Sequence, residues 1–211
     1  MIIKICGITR QHDADCIQKL GVDMCGFIFH PRSPRAVSPE LAAMLRTGTV
    51  QRVGIFVGQH AVDIKRIMSV AKLTFAQLHG EQSTACAQAV GAERVIRVLW
   101  PERYSSTAAL QAALEAYAPT CAYFLFDAGQ QGGGSGRFCH WSLLQGLHSP
   151  RPFLVAGGLN AATLPQCLSL CQPDGVDFNS GIEVRAGIKH ALRLHEAVQA
   201  ARGWGTKDLC G

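Results

Sequence analysis

Cysteine and aspartate side chains stand at the ends of two short apolar segments, where they could transfer protons. Cys6 ends the segment 2–6, and Asp127 ends the segment 122–127. A thiolate can remove a proton from carbon, and a carboxylic acid can deliver one. Taken singly, Cys6 could be a small core residue, and Asp127 could cap the helix that follows it. The presence of both at such ends favours acid–base chemistry.

Three glycine-rich segments lie in the C-terminal part of the chain. Their residues are Gly134, Ser135 and Gly136 within 130–136, Gly157 and Gly158 after the apolar segment 152–156, and Ser180 and Gly181 after 175–179. Backbone N–H groups of such loops can approach a phosphate closely because glycine has no side chain in the way. One such loop is usually only a loop, but three in succession predict a phosphate-binding site.

Eight apolar segments rich in β-forming residues predict the strands that position these groups. They cover residues 2–6, 24–29, 52–57, 75–79, 94–99, 122–127, 152–156 and 175–179. Their starts are about 25 residues apart on average, which leaves room for a helix and two loops in each repeat. Helices are expected at 13–20, 39–45, 83–90, 107–117 and 188–202.

This alternation predicts an α/β fold, a single (β/α)8 TIM barrel over residues 1–211 with a short C-terminal tail at 203–211. An open doubly wound sheet is the alternative, but no GxGxxG motif follows the first strand. The active site of such a barrel lies at the carboxyl ends of its strands. Cys6, Asp127 and the glycine-rich segments all fall at such ends.

Side-chain alternation along the first strand predicts which residues enter the barrel. Ile3 and Ile5 suit the helix-covered outside, so Lys4 and Cys6 are expected to point inward. A buried lysine needs a partner, and Asp177 on the neighbouring eighth strand is the candidate. A cation near Cys6 is also expected to favour the thiolate.

Composition and charge exclude several classes of function. The chain has 211 residues, a net charge of +5 and 7% aromatic residues, with no basic stripe, so nucleic-acid binding is not expected. No apolar stretch reaches the roughly 18 residues of a membrane span, and no secretory signal is recognised, so we expect a cytoplasmic protein without a membrane partner. The nine cysteines lack zinc-ligand spacing, and no metal site is predicted.

Several sequence blocks follow one another over nearly the whole chain. They are KICGITR at 4–10, GFIF at 26–29, SPR at 33–35, RVGIFV at 52–57, QLHG at 77–80, FD at 126–127, GGSG at 133–136, AGGLN at 156–160, GVD at 175–177 and SGIE at 180–183. In this order and combination, the chain closely resembles the phosphoribosylanthranilate isomerase family.

The resemblance implies an isomerase of tryptophan biosynthesis that performs an Amadori rearrangement without a cofactor. It makes Cys6 the general base and Asp127 the general acid. Arg35 is expected to contact the anthranilate end of the substrate, with Gln77 and His79 as further substrate-binding residues. The phosphate is assigned to Gly134, Ser135, Gly136, Gly157, Gly158, Ser180 and Gly181. The expected partner is a small phosphorylated substrate, and the chain is expected to be a monomer or a homodimer.

Three alternatives stay open. An aldose–ketose isomerase of histidine biosynthesis performs the same rearrangement, but it resembles a two-aspartate design with an internal half-barrel repeat that this sequence does not show. A non-catalytic phosphate-binding barrel would not need Cys6 and Asp127 together. A metal- or redox-active thiol protein is suggested by nine cysteines and eight histidines. One departure from the family pattern is Asn179, which stands in place of a small hydroxyl residue near the predicted phosphate site.

Overall fold

Eight parallel strands close into a barrel in the computed structural model, which describes residues 1–127 and 144–204. The strands are β1 (Ile2–Ile5), β2 (Met24–Ile28), β3 (Gln51–Phe56), β4 (Phe75–Leu78), β5 (Val95–Leu99), β6 (Tyr123–Phe126), β7 (Phe153–Val155) and β8 (Gly175–Phe178). Each strand pairs with the next, and β8 pairs with β1, so the barrel has no open edge. The predicted (β/α)8 fold class is confirmed, and each predicted strand segment overlaps one of these strands.

Helices connect most of the strands in the described part of the chain. They are α1 (Gln11–Lys19), α2 (Pro39–Met44), α3 (Ala61–Val70), α4 (Thr84–Val90), α5 (Thr107–Tyr117), α6 (Leu164–Cys171) and α7 (Ala191–Gly203). Ser38, Ser83 and Ser106 each accept a hydrogen bond from the backbone N–H three residues ahead, which explains why α2, α4 and α5 begin where they do. Neither α3 nor α6 was among the predicted helices. The buried residues of α6 do have helical spacing, so that signal was present in the sequence.

The segment after β8 folds back as a two-stranded hairpin. Its strands, β9 (Glu183–Arg185) and β10 (Ile188–Lys189), pair antiparallel. Gly187 takes a φ of +79° between them, which glycine adopts without strain. The predicted start of the last helix at residue 188 is therefore wrong. That helix begins only after His190, whose side chain caps it.

The last helix also ends one residue beyond its predicted end. Gly203, which the sequence analysis assigned to the tail, belongs to α7. Of the rest of that tail, Trp204 is described and residues 205–211 lie outside the described residues. In the described part of the chain, no helix is long and apolar enough to cross a membrane.

Apolar side chains form two layers on either side of the sheet. The smaller layer fills the barrel with residues that include Met24, Phe75 and Leu125. The larger layer lies between strands and helices and includes Ile3 and Ile5. Since side chains alternate along a strand, the placement of these two isoleucines outside turns the residues between and after them toward the barrel interior.

Candidate active site

A cavity of about 440 Å³ opens at the carboxyl ends of the barrel strands. Cys6 follows β1, His79 follows β4, Asp127 follows β6 and Asp177 belongs to β8, and all four line the cavity. Parallel strands in a closed barrel all end at the same rim, so side chains that are far apart in sequence meet there. The structure therefore brings these four sequence-predicted residues to one site.

Lys4 lies beneath the cavity with its side chain completely buried. Its Nζ donates a hydrogen bond of 2.7 Å to Oδ2 of Asp177. Burial lowers the pKa of Lys4, but the carboxylate of Asp177 and the thiol of Cys6 outweigh it, so the net pKa lies above its usual value. The ammonium group is therefore charged at neutral pH, next to Cys6.

Asp127 meets the ring of His79 at the cavity wall. Nε2 of His79 lies 3.4 Å from Oδ2 of Asp127, and both side chains are about nine-tenths buried. On the other side of the ring, Nε2 of Gln77 lies 3.1 Å from Nδ1 of His79. Burial first, and Lys4 second, lower the pKa of His79 to about 4. This imidazole is therefore neutral at physiological pH.

Arg35 lines the cavity, but a carboxylate from the hairpin after β8 already binds its guanidinium group. Nε and Nη2 of Arg35 donate hydrogen bonds of 2.6 to 3.1 Å to both carboxylate oxygens of Glu183. Nζ of Lys189 donates to the same carboxylate at 2.9 Å. Burial raises the pKa of Glu183, but the hydrogen bonds from Arg35 and Lys189 prevail and hold it below its usual value. Glu183 is therefore an anion between two cations.

Part of the predicted phosphate site lies at the ends of β7 and β8. Gly157, Gly158 and Ser180 line the cavity, whereas Gly181 packs behind it. A Cβ on Gly181 would lie 2.2 Å from the backbone oxygen of Leu159, so this close approach of two loops requires glycine. The remaining predicted residues, Gly134, Ser135 and Gly136, lie outside the described residues.

The profile of the N-(5'-phosphoribosyl)anthranilate (PRA) isomerase family matches residues 3–200 of the chain. The chain belongs to this family. It is an isomerase of tryptophan biosynthesis, and the resemblance seen in the sequence is confirmed.

Individual relatives agree with the family profile. An N-(5'-phosphoribosyl)anthranilate isomerase of Desulfovibrio desulfuricans is 55% identical over 201 residues, which are 95% of each chain. The crystal structure of the phosphoribosyl anthranilate isomerase of Thermus thermophilus superposes with a TM-score of 0.84 at 32% identity, covering 96% of this chain and 99% of that one. A further phosphoribosyl anthranilate isomerase was crystallised in complex with reduced 1-(o-carboxyphenylamino)-1-deoxyribulose 5-phosphate. It has a TM-score of 0.80 and 30% identity, covering 96% of this chain and all of that one.

The thiol of Cys6 in this PRA isomerase family member has a raised pKa. Burial first, and the carboxylate of Asp177 in addition, raise the pKa of Cys6 above its usual value, although Lys4 and Lys189 each lower it. The expectation that a cation near Cys6 favours the thiolate is confirmed for the contact with Lys4. Loss of hydration outweighs this effect in the net pKa.

Arg97, whose role the sequence does not indicate, lies away from the active-site cavity of this isomerase. Arg97 points to the helix side of β5, where its guanidinium group donates hydrogen bonds to the backbone oxygens of Gln82 and Ser83. The cysteines in the described ranges are all reduced. Within those ranges, no three His, Cys, Asp or Glu side chains form a group that could hold a metal ion.

Sequence reasoning about this isomerase missed Glu183 and Lys189 as site residues. Lys189 is 5% exposed, and its Nζ also donates a hydrogen bond of 2.9 Å to Oδ1 of Asn179. Asn179 therefore turns its side-chain oxygen toward Lys189. Two oppositely charged residues six positions apart after the last strand were the available signal. Their partner Arg35 is 148 residues from Glu183, so no local pattern could connect them.

Proposed function

We propose that this isomerase converts N-(5-phosphoribosyl)anthranilate into 1-(2-carboxyphenylamino)-1-deoxyribulose 5-phosphate, with Cys6 as general base and Asp127 as general acid. The observation that carries the proposal is that both side chains reach one cavity from different strands, with the buried cation of Lys4 beside the thiol. An Amadori rearrangement needs this pair, because one proton must be added and another removed within a single small substrate.

Asp127 acts in the first step of the proposed reaction. Its carboxyl group gives a proton to the ring oxygen of the aminosugar, while the nitrogen lone pair forms a double bond to C1 and the C1–O bond breaks. The products are an open-chain iminium ion and the carboxylate of Asp127. This step requires a carboxyl group that is protonated when the substrate binds, which is how buried acids serve as proton donors.

Cys6 acts in the second step. The iminium ion acidifies the C2 hydrogen, the thiolate removes it, and the C–H electron pair neutralises the iminium to give an enolamine. The enolamine then takes a proton at C1 and loses the proton of its C2 hydroxyl, which restores both side chains. The iminium charge forms beside Cys6. Lys4 and Lys189 already lower the pKa of this thiol, and the three positive charges together oppose the rise in pKa that burial causes.

The two ends of the substrate have charges that suit different parts of the rim. We assign the phosphate to the backbone of Gly157, Gly158 and Ser180, behind which Gly181 packs, together with the predicted segment 134–136. We assign the anthranilate carboxylate to the side of Arg35, where the group of Arg35, Lys189 and Glu183 has two cations and one anion. The complex of one family member with reduced 1-(o-carboxyphenylamino)-1-deoxyribulose 5-phosphate supports a ligand with both charged ends.

We further propose that the whole chain forms one barrel domain with a short tail after α7. Its cytoplasmic location and its state as a monomer or a homodimer stay predictions of the sequence.

A fluorescence assay with phosphoribosylanthranilate generated in place tests the reaction and both assignments. We expect Cys6→Ala and Asp127→Asn each to lose turnover by about 100-fold or more, since acid–base groups contribute on the order of 10² to 10⁴. Cys16→Ala on α1 and Asp63→Asn on α3 are matched controls outside the cavity, and both should keep wild-type turnover. Near-normal turnover of either cavity variant would remove that residue from its role. A wild type that turns over only the related substrate of histidine biosynthesis would contradict the proposed substrate.

A further inference from the structure

His79 lies between an amide and the proposed acid, and its contacts use both ring nitrogens. Nδ1 lies 3.1 Å from Nε2 of Gln77, and Nε2 lies 3.4 Å from Oδ2 of Asp127. Gln77 is 2% exposed. The edge contact between His79 and Trp100, with ring centroids 5.4 Å apart, further limits rotation of the imidazole. These contacts fix which nitrogen faces which neighbour.

The orientation of the Gln77 amide assigns a tautomer to the ring. Its NH2 group, which can only donate, faces Nδ1, so in this orientation Nδ1 of a neutral His79 accepts and the ring proton is on Nε2. Nε2 is also the ring nitrogen that faces Oδ2 of Asp127. The separation of 3.4 Å is slightly long for a hydrogen bond, and such contacts commonly shorten when a substrate binds.

Charges around His79 keep the ring neutral while it makes this contact. Burial is the main cause of its low pKa, and the cations Lys4 and Arg103 add to it, whereas Asp177 opposes them. Asp127 is the carboxyl group in direct contact. A neutral imidazole N–H group can orient a carboxyl group and leave it able to carry a proton, whereas a charged imidazolium would hold it as a carboxylate in an ion pair.

We propose that His79, held as the Nε2–H tautomer by Gln77, is a positioning residue for Asp127 rather than a substrate-binding residue. The Nε2–H group faces Oδ2 and orients the carboxyl group that delivers the proton. After delivery, the same N–H group stabilises the carboxylate that remains. The inference rests on the proposed function, because it assumes that Asp127 is the general acid.

Nitrogen-15 NMR of the histidine rings tests the tautomer without any use of activity. At pH 7 we expect the wild-type His79 ring to show a protonated Nε2 and an unprotonated Nδ1. Gln77→Met, which removes the amide donor at nearly the same volume, should produce a mixture of the two tautomers. A protonated Nδ1 in the wild type, or an unchanged tautomer in Gln77→Met, would overturn the proposal.

Two substitutions of His79 separate positioning from substrate binding. His79→Gln can place an amide N–H near the position of Nε2, whereas His79→Leu cannot donate. We expect His79→Leu to lower kcat by about 10- to 100-fold, the effect of one hydrogen bond to a charged group, with KM changed less than about threefold. His79→Gln should have a kcat at least about tenfold higher than that of His79→Leu. His60→Leu is the matched control, because His60 is an exposed residue before α3 outside the cavity.

The outcomes distinguish this inference from the proposed function. An inactive wild type, or an Asp127→Asn variant with full activity, contradicts the proposed function. With an active wild type, equal kcat losses in the two His79 variants, or a rise in KM at constant kcat, overturn the positioning role. In the Asp127→Asn background, His79→Leu should cause no further loss of kcat, because the group that it positions is already absent.

Discussion

Lys4 on β1 and Asp177 on β8 are register partners across the seam where the barrel closes. Their Cα atoms are paired in the parallel ladder, and Nζ of Lys4 lies 2.7 Å from Oδ2 of Asp177. The contact joins residues 173 positions apart inside a barrel whose interior is packed with apolar side chains such as Met24, Phe75 and Leu125. Closure of the barrel between β8 and β1 therefore places the positive charge of Lys4 beneath Cys6.

Replacing one partner of this pair should destabilise the fold strongly. Lys4→Met leaves the Asp177 carboxylate buried without its cation, which typically costs about 3–5 kcal/mol. The double variant Lys4→Met/Asp177→Asn removes both charges and should recover part of that loss. Urea unfolding followed by circular dichroism measures both values. Equal stability of the single and double variants would show that the pair is not coupled.

The pH dependence of Cys6 alkylation should reflect the raised pKa of this thiol. A thiol whose pKa lies above its usual value is mostly protonated at pH 7, so the thiolate fraction should increase as the pH rises toward 9. Alkylation of Cys6 by iodoacetamide should accelerate over the same range. Cys25 is an internal control, because burial raises its pKa to about 12 and it should stay unlabelled. A rate of Cys6 labelling that is flat above pH 7 would contradict the expectation.

Glu183 should matter for both stability and substrate affinity. Glu183→Gln leaves Arg35 and Lys189 facing each other without their shared anion, and we expect a loss of about 3–5 kcal/mol in unfolding free energy together with a higher KM. Glu81→Gln is the matched control. It breaks the 2.7 Å pair between Glu81 and Arg103, but the Glu81 side chain is 86% exposed, so the cost should stay below about 1 kcal/mol. Similar losses in both variants would argue against a special role for the buried group.

Gly26 on β2 should be intolerant of a larger side chain because of its neighbour Cys6. A Cβ at this position would lie 2.8 Å from Sγ and 3.1 Å from Cα of Cys6. Gly26→Ala must displace the thiol, so we expect a loss of about 1–3 kcal/mol and a lower kcat. Gly58→Ala is the control: at this exposed position a Cβ would meet no atom of the described residues within 4 Å, so both quantities should stay unchanged. Thermal unfolding and the fluorescence assay are the two measurements, and wild-type turnover in Gly26→Ala would refute the displacement.

Local patterns in the sequence were enough to predict most of the secondary structure. All eight strands were predicted because a buried parallel strand is a short, continuous apolar segment with its own β-forming residues. The start of α4 was predicted from Ser83, because a cap acts over only three residues. The hairpin was missed, since Ile188 and Lys189 suit a helix or a strand equally and only their pairing with β9 decides between them.

The sequence by itself determined the barrel and the inward direction of Lys4 and Cys6, because strand spacing and side-chain alternation are properties of neighbouring residues. Only the tertiary structure decided what those side chains meet. The pairing of Arg35 with Glu183, and the contact of His79 with Asp127, join strands and loops that are distant in the chain. Burial, which raises the pKa of Cys6 against the pull of nearby cations, likewise exists only once the barrel has closed around the thiol.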